Sequence, residues 1–517
     1  MDTERCVTAF KAGPSAAVIP TNTSDRFRKA GYQAIDRICD YSYSLEKRPV
    51  ISDVEPGYLK QHIPLAAPER GEDFDDIADD YQRLIVPGLT HWHHPSFFAY
   101  FPASCSFEGI LADLYSSAAS NPGFNWTSSP ACTELEALVM DWACRLLGLS
   151  PEFLNSSEVG GGVIQNTACD SALVAIVAAR SLYLRHHPNI PLTDLVIYTT
   201  SQTHSLGVKA GLVLGLSVRV LEVRAEDNFS LRGKTLRLAL EEDERQGLKP
   251  FVLIATLGTT SSGAIDNLPE IQQIVQKHPS MWVHVDAAWA GVAIACPELR
   301  QKCHLKTINE LANSFCTNFH KWGLINFDAS ALWVRDRKYL TDALDITPPY
   351  LRTKQGDAGT VTDYRNWHLA LSRRFRSLKF WFVFRSFGVE GFKKYIRKTI
   401  ALNQHFAEFV ASSDMFSLVT PPSFALSVFR LDPKLRSLEQ PSHSLDILNK
   451  LNKLFYSRLT ARQDILLTST VLNGVYCIRF AVGSARTELL HIKQACELLV
   501  EEGKLTLESW EQAQDCY

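Results

Sequence analysis

The stretch PFVLIATLGTTSSGAIDNLPEIQQIVQKHPSMWVHVDAAWAG (250–291) holds two apolar runs separated by an amphipathic segment. PFVLIATLG (250–258) and MWVHVDA (281–287) are rich in β-branched and aromatic residues and short enough to be strands. LPEIQQIVQKHP (268–279) between them carries apolar residues at helical spacing. Strand, crossover helix and second strand pair in parallel. The alternation extends outward on both sides. LVIYTT (195–200) and VRVLEV (218–223) come before, KTLRLALEEDERQG (234–247) supplies another helix, and SALWVRD (330–336) follows. The pattern predicts an α/β fold with a mostly parallel central sheet and helices on both faces. Such sheets take ligands at the carboxyl ends of their strands.

Around this centre lie two flanking regions. Residues 1–22 read as loose, a helix follows from Ser24 with Phe27, Gly31, Ala34, Ile35 and Ile38 at helical spacing, 49–72 reads as extended, and 73–90 is helical again. Residues 1–106 are expected to form a helical N-terminal segment, 107–378 the large ligand-binding domain and 379–517 an α+β C-terminal domain. The last contains a long helix over 380–413, strands in SFALSVFRL (423–431) and GVYCIRFAVG (474–483), and a final helix from Thr487.

Composition narrows the function. Of 517 residues, 46% are hydrophobic and 10% aromatic, which is globular rather than disordered. A net charge of −3 gives no electrostatic footing for nucleic acid, and no apolar run approaches the roughly 18 residues of a membrane span. Neither a secretory leader nor a prenylation signal at Cys516 is legible. Twelve cysteines without a CxxC pair argue against a zinc site and for reduced thiols in the cytoplasm.

Three motifs carry chemistry. GGGVIQNTACDSALVAIVAAR (160–180) places three glycines and a polar turn before an apolar helix, the form of an anion-binding helix N-terminus. Taken alone, such turns are common. HVDAAWAG (284–291) ends a buried strand on Asp286, which needs a partner because an unpaired buried carboxylate is costly. That partner is either a structural cation or the ring nitrogen of a pyridine cofactor. TNFHKWGLINFDASALWV (317–334) sets Lys321 among apolar and aromatic residues, where desolvation makes an amine nucleophilic toward a carbonyl.

A phosphate cradle, a strand-end acid and a lysine 35 residues later stand in the order of fold-type I pyridoxal-phosphate enzymes. The chain resembles the group II decarboxylases, and within them the aromatic L-amino acid decarboxylases, over about residues 24–500. HWHHPSFFAYFPAS, FNWTSSPACTELEALVMDW, GGGVIQ, ATLGTT, HVDAAWAG, NFHKW and DYRNWHLALSRRFRSLKFWFVFR carry the resemblance. It implies a homodimer with active sites at the interface, pyridoxal 5'-phosphate as cofactor and no metal; HWHH (91–94) belongs to the pocket entrance.

By that resemblance Lys321 is the Schiff-base lysine, Asp286 holds the pyridine nitrogen's proton, and His204 stacks on the ring. Thr167, Ala168, Cys169 and Asn318 hold the phosphate, Thr260 and Ala288 flank the ring, and His320 adjoins it. Asp266 and Arg373 are expected to form a supporting ion pair. Tyr350, in ITPPYLRTKQGDAGT (346–360), matches the family's proton donor on a mobile loop; relatives with Phe there tend to be aldehyde synthases. Trp92, Tyr100, Phe101, Pro102, Ala103 and Phe124 match the pocket wall. Ser372 points to phenolic substrates in plant relatives, whereas Ala103 leaves room for an indole. Fungal members that supply tryptamine to alkaloid pathways are similar, and the expected preference is tryptophan, with tyrosine or DOPA as alternatives. The rival readings are an aldehyde synthase and a catalytically dead ligand-binding relative.

Overall fold

The computed structural model describes residues 24–433 and 441–515. Pro14, Pro20 and Cys516 lie outside the described residues. The chain divides into two compact units, one up to Thr90 and one from His91 onward.

In the first unit a helix spans Ser24–Ser44 and another Phe74–Asp80, N-capped by Asp73, whose carboxylate accepts from the Asp75 amide. Arg26 pairs with Asp73 (3.2 Å) and Arg37 with Asp79 (2.6 Å), joining the two helices. The 49–72 segment is irregular apart from one 3-10 turn at Tyr58–Gln61. Phe27, Tyr32, Ile35 and Ile38 stand exposed along the first helix.

The second unit is built on a seven-stranded sheet: β1 (Gly161–Gln165), β2 (Leu195–Thr200), β3 (Ser217–Leu221), β4 (Lys249–Thr256), β5 (Trp282–Asp286), β6 (Ser314–Asn318) and β7 (Ser330–Val334), in the order β1-β7-β6-β5-β4-β2-β3. Strands β3, β2, β4, β5 and β6 run parallel; β7 and β1 close the other edge antiparallel. Side chains alternate between two cores, as the two-residue strand period requires. Leu195, Ile197, Val252, Ile254, Trp282 and Cys316 join the helix Ala168–His186 on one face. Val196, Tyr198, Leu253, Ala255, Val283 and Val285 join the helices Pro130–Leu147, Gly233–Arg245 and Leu268–Val275 on the other. The expected fold-type I architecture, a mostly parallel sheet covered on both faces, is the observed one.

A second sheet holds β8 (Phe416–Leu418), β9 (Leu426–Leu431), β10 (Thr468–Leu472) and β11 (Val475–Ala481), all antiparallel in the order β10-β11-β9-β8. The long helix starts at Ser377 and breaks at Gly388, whose φ of 60° is open to glycine at little cost.

Two expectations change. The glycines of GGGVIQ do not form the cradle's turn; Gly161 and Gly162 open strand β1. A Cβ on Gly160 would lie 1.8 Å from the Glu152 carbonyl oxygen, and one on Gly162 2.6 Å from Met140 and Trp333, so these glycines serve close packing. Within the second unit, residues 91–106 are tied in through the main chain, Phe98 to Leu466 and Ala481 and Ser104 to His320. Asp266 and Arg373 are not an ion pair. Arg373 makes a bidentate bridge to Glu136 (2.9 and 2.6 Å), each side chain 1% exposed. Asp266 is satisfied by the amides of Leu231 and Thr256 (2.8 and 2.7 Å), tying the end of β4 to its following loop.

Because each partner leaves the other as an uncompensated buried charge, Glu136→Gln or Arg373→Met should each cost roughly 3–5 kcal/mol in urea unfolding. Arg373→Met and Asp266→Asn should add independently, whereas Arg373→Met and Glu136→Gln should not; the reverse pattern would restore the Asp266–Arg373 pairing. Burial also holds histidines neutral: His284 is lowered to about 4, His320 to about 3 and His368 to about 4. From pH 6.5 down to about 4 the unfolded chain therefore binds more protons at these positions, and their contribution to stability is lost as pH falls. Asp266, pushed up to about 6 by burial, works the opposite way, being destabilising as pH rises from about 4 to 6, but it is one group against three. The urea midpoint should fall between pH 7 and pH 5, and a level or rising midpoint would contradict this balance.

Candidate active site

Two adjacent parallel strands end side by side. β5 stops at Asp286 and β6 at Asn318, with Asp286 opposite Cys316 in register. A single helical turn, Phe319–Trp322, follows β6 at once and carries Lys321. The ends are stitched by main-chain bonds from Ala287 to the Cys316 carbonyl (3.0 Å) and from Asn318 to the Ala288 carbonyl (2.9 Å). The sheet therefore delivers an acid and an amine to one edge.

Asp286 is 3% exposed. Its Oδ1 accepts from the Ala288 amide (3.0 Å) and from the Cys316 thiol (3.8 Å). Among the described residues no arginine or lysine reaches it at ion-pair distance, nor does an acid reach Lys321. Burial pushes the Lys321 amine below the usual lysine range, and the charge of Asp286 opposes that shift. Desolvation pushes the Cys316 thiol well up, and Asp286 adds to it. The Lys321 Nζ lies 5.5 Å from the centre of the Phe101 ring. Lys321 and its neighbour are fixed through their backbones: Ser104 donates its hydroxyl to the Lys321 carbonyl (2.8 Å) and its amide to the His320 carbonyl (2.6 Å). The His320 Nδ1 accepts from the Ala329 amide (2.8 Å), so this ring is buried and occupied by its own chain.

The helix Ala168–His186 begins beside this edge. Thr167 is its N-cap, accepting from the Asp170 amide (3.3 Å), which leaves first-turn amides such as those of Ala168 and Cys169 free of helical partners. Asn166 is held by Asp170 and Arg376. Cys169, His204 and Asp286 all act electrostatically on one another or on Lys321, which places them around one centre. His204 is exposed; its Nδ1 accepts from the Leu206 amide (3.2 Å), and desolvation lowers its pKa. Thr260 is half-buried in the turn after β4, and Ala288 is buried after β5. The Oδ1 of Asn318 is buried without a partner, as are the hydroxyls of Thr199, Thr256 and Thr317; all four stand at or next to the carboxyl ends of β2, β4 and β6. Such atoms call for a polar ligand.

The aromatic wall consists of two stacked groups joined through the neighbouring residues Tyr100 and Phe101. Trp92 stacks on Tyr100 (5.4 Å between centroids), Phe101 on Trp289 (4.4 Å), and Trp289 on Trp322 (5.5 Å). Pro102 is buried against Gly483, Ala103 is half-buried, and Phe124 is half-buried with its carbonyl accepting from the Arg365 amide (3.2 Å). Two expected residues are exposed: Tyr350, at 80% on its loop, and Ser372. Four contributors escaped the sequence reading: Ser104, Trp289, Thr468 and Arg479. Ser104 and Thr468 bear no distinguishing mark. Trp289 stands inside HVDAAWAG, and Arg479 is a lone cation within the apolar run CIRFAVG, a visible signal.

Residues 56–432 match the family described as "Pyridoxal-dependent decarboxylase conserved domain". "Tryptophan decarboxylase 2" of Oryza sativa subsp. japonica is 42% identical over 487 residues, covering 94% of this chain and 96% of the relative. "Aromatic-L-amino-acid decarboxylase" of Rattus norvegicus is 42% identical over 483 residues, covering 92% and 96%. The crystal structure of Oryza sativa TDC with PLP and tryptamine superposes with a TM-score of 0.89 at 36% identity, covering 93% of this chain and 98% of that one. With the strand-end acid, the desolvated lysine and the capped helix already in place, the chain belongs to the pyridoxal-dependent decarboxylases.

Proposed function

We propose that this chain binds pyridoxal 5'-phosphate at Lys321 and decarboxylates an aromatic L-amino acid, tryptophan in preference to tyrosine or DOPA, to the arylalkylamine and CO2. One observation carries the reading. A half-buried, desolvated amine stands on the turn just past β6 and a buried carboxylate ends the adjacent β5; they influence each other and, among the described residues, have no counter-ion in contact. The residues fit the cofactor: unpaired buried polar atoms, free helix amides and a buried acid with no cation at ion-pair distance among the described residues match a polar, phosphorylated heterocycle. When bound, that cofactor supplies an aldehyde that captures an amine and a ring that accepts the electron pair released with CO2.

The chain's own residues do the rest. Desolvation keeps more of Lys321 in the neutral, nucleophilic form than a surface lysine would have. Asp286 keeps a proton on the ring nitrogen, because a carboxylate in a dry site favours a cationic neighbour. Thr167, Ala168, Cys169 and Asn318 hold the phosphate. The neutral His204, with Nδ1 already accepting, presents Nε2 as a donor. The wall from Trp92 to Phe101, with Pro102, Ala103 and Phe124, takes the aromatic side chain. Tyr350 delivers the proton to the substrate carbon that has lost CO2.

We further propose a homodimer. The exposed apolar side chains Phe107, Leu111, Leu114 and Tyr115 of one helix, like those of the Ser24–Ser44 helix, suit a self-association surface. The three-part division at 106 and 378 is retained as a functional proposal, the middle part bearing the cofactor. All ten described cysteines are free, which supports a reducing compartment such as the cytoplasm. Among the described residues no helix is long and apolar enough to cross a membrane.

Lys321→Ala should abolish covalent cofactor attachment, read by borohydride fixation and mass spectrometry, and nearly all turnover. Retained turnover would overturn the assignment, and absence of attachment in the cofactor-loaded wild type would favour the dead relative. Tyr350→Phe should lower amine formation by about 10²–10⁴-fold and divert product to aldehyde with ammonia and hydrogen peroxide. Unchanged amine yield would remove Tyr350 from the proton transfer, and stoichiometric peroxide from the wild type would favour the aldehyde synthase. Competition among tryptophan, tyrosine, phenylalanine and DOPA, with amines quantified, tests the preference.

A further inference from the structure

Arg479 sits on β11 with Thr468 of β10 as its cross-strand partner. It is 4% exposed, and burial lowers its pKa to about 10, so it keeps its charge at neutral pH. Among the described residues no carboxylate reaches it at ion-pair distance, and its Nε has no partner. A desolvated cation without a counter-ion is expensive, so its remaining contacts deserve weight. One guanidinium nitrogen donates to the Tyr100 carbonyl (3.0 Å) and another to the Thr468 hydroxyl (2.9 Å). The same hydroxyl accepts from the Tyr100 amide (3.4 Å). Both polar backbone groups of Tyr100 are thus gripped by a single cross-strand pair.

Tyr100 needs the grip. Its φ is 50°, in the left-handed region that residues with a Cβ disfavour. The turn it makes sends its own ring against Trp92 and the next ring, Phe101, against Trp289. The Arg479 guanidinium carbon lies 4.9 Å from the Phe101 centroid, and the Lys321 Nζ 5.5 Å from it. The arginine therefore holds the backbone of one wall residue and the ring of the next, and that second ring adjoins the proposed cofactor lysine. Two residues upstream, Phe98 is anchored separately by main-chain bonds to Leu466 (2.9 Å) and Ala481 (3.0 Å). Loosening the grip therefore leaves the segment attached to the small sheet.

We propose that Arg479 and Thr468 form a clamp that positions the Tyr100–Phe101 wall and thereby sets discrimination among aromatic substrates. The specificity half rests on the decarboxylase reading above; the positioning half does not. Because the clamp acts through the wall, both residues are positioning residues rather than catalytic ones.

The test uses Thr468→Val, which keeps shape and removes the shared hydroxyl, and Arg479→Lys, which keeps charge and removes the fork. Each is measured in the cofactor-loaded full chain. Losing one such hydrogen bond should raise KM for the preferred amino acid about tenfold and narrow the KM ratio between tryptophan and tyrosine, with kcat changing less. Cofactor affinity should stay within about twofold. Backbone hydrogen exchange in a peptide covering Phe97–Ala103 should speed up about tenfold and stay local. The double variant should be no worse than the worse single one, because the two act as a unit. Unchanged KM ratios with unchanged exchange would overturn the clamp, as would losses that track cofactor affinity or thermal midpoint. If the wild type turns over no aromatic amino acid, the functional proposal and the specificity half fall together. The positioning half is then decided by exchange alone, which supports it if the acceleration is confined to Phe97–Ala103 and overturns it otherwise.

Discussion

The structure turns on a register. β5 and β6 are parallel neighbours, and Asp286 stands opposite Cys316, two residues before β6 ends. A slip of one residue would send every side chain of β6 to the opposite face, and the Asp286–Lys321 relation would be lost with it. The apolar faces pin this register: Val283, Val285 and Phe315 belong to one core, Trp282 and Cys316 to the other. Each fully buried aliphatic or aromatic side chain contributes about 1.5–3 kcal/mol, so the two cores together outweigh the penalty of carrying an acid and an amine without counter-ions. Hydrophobic packing on two faces thus keeps a polar arrangement in place that would not form by itself.

The support around that edge follows one rule. Several supporting side chains take their partners from their own chain, while two assigned to the ligand are left open. Glu136 and Arg373 satisfy each other, Asp266 takes two amides, and His320 takes the Ala329 amide. Asn318 Oδ1 has no partner, and Asp286 has only an amide and a weak thiol donor. Buried polar groups are ordinarily paired, so the unpaired ones gathered at the carboxyl ends of β2, β4 and β6 mark where a ligand would complete the count. Ser104 shows the same economy from the opposite side: one hydroxyl bonds the Lys321 carbonyl and the Leu324 amide, fixing the lysine's backbone without touching its amine.

Much of this was legible in the sequence, and the gaps have physical causes. β2, β4, β5, β7, β9 and β11 coincide with apolar runs, because strands buried over most of their length need them, and the edge strand β3 was legible from its alternating valines. β1 was hidden by its glycines, whose role of admitting Trp367, Met140 and Trp333 depends on residues remote in sequence. β6 (SFCTN) and β10 (TSTVL) are short and rich in hydroxyls, so their periodicity resembles that of a turn. At the site, Lys321 and Asp286 were legible because each closes a run or sits in one. The partner of Arg373 was not, since Glu136 lies 237 residues away on the Pro130–Leu147 helix and either acid satisfies the same charge rule. Motif spacing identifies which groups are unusual; it carries no information about which of several unusual groups meet.

Tyr350 marks the limit of what a static site decides. Under the proposed reading, the bond to CO2 is broken by groups the sheet holds rigidly, but the product is chosen afterwards, by whatever reaches the substrate carbon first. If a proton arrives, the amine forms; if oxygen arrives, the aldehyde does. The acid is buried at the end of β5 and the lysine is half-buried on the turn that follows β6, whereas Tyr350 is 80% exposed on a segment with one 3-10 turn and one short helix, Lys354–Asp357. The far end of that segment is tethered: Asp363 accepts from the Trp126 amide (3.1 Å), and Arg365 donates to Asp363 and to Thr347. These contacts restrain its base beside Phe124 while leaving its tip in solvent. Bond cleavage is therefore a property of the sheet, and product identity a property of loop closure, which takes its own time. Two proteins with the same strand-end acid and lysine can then differ in product through the loop alone.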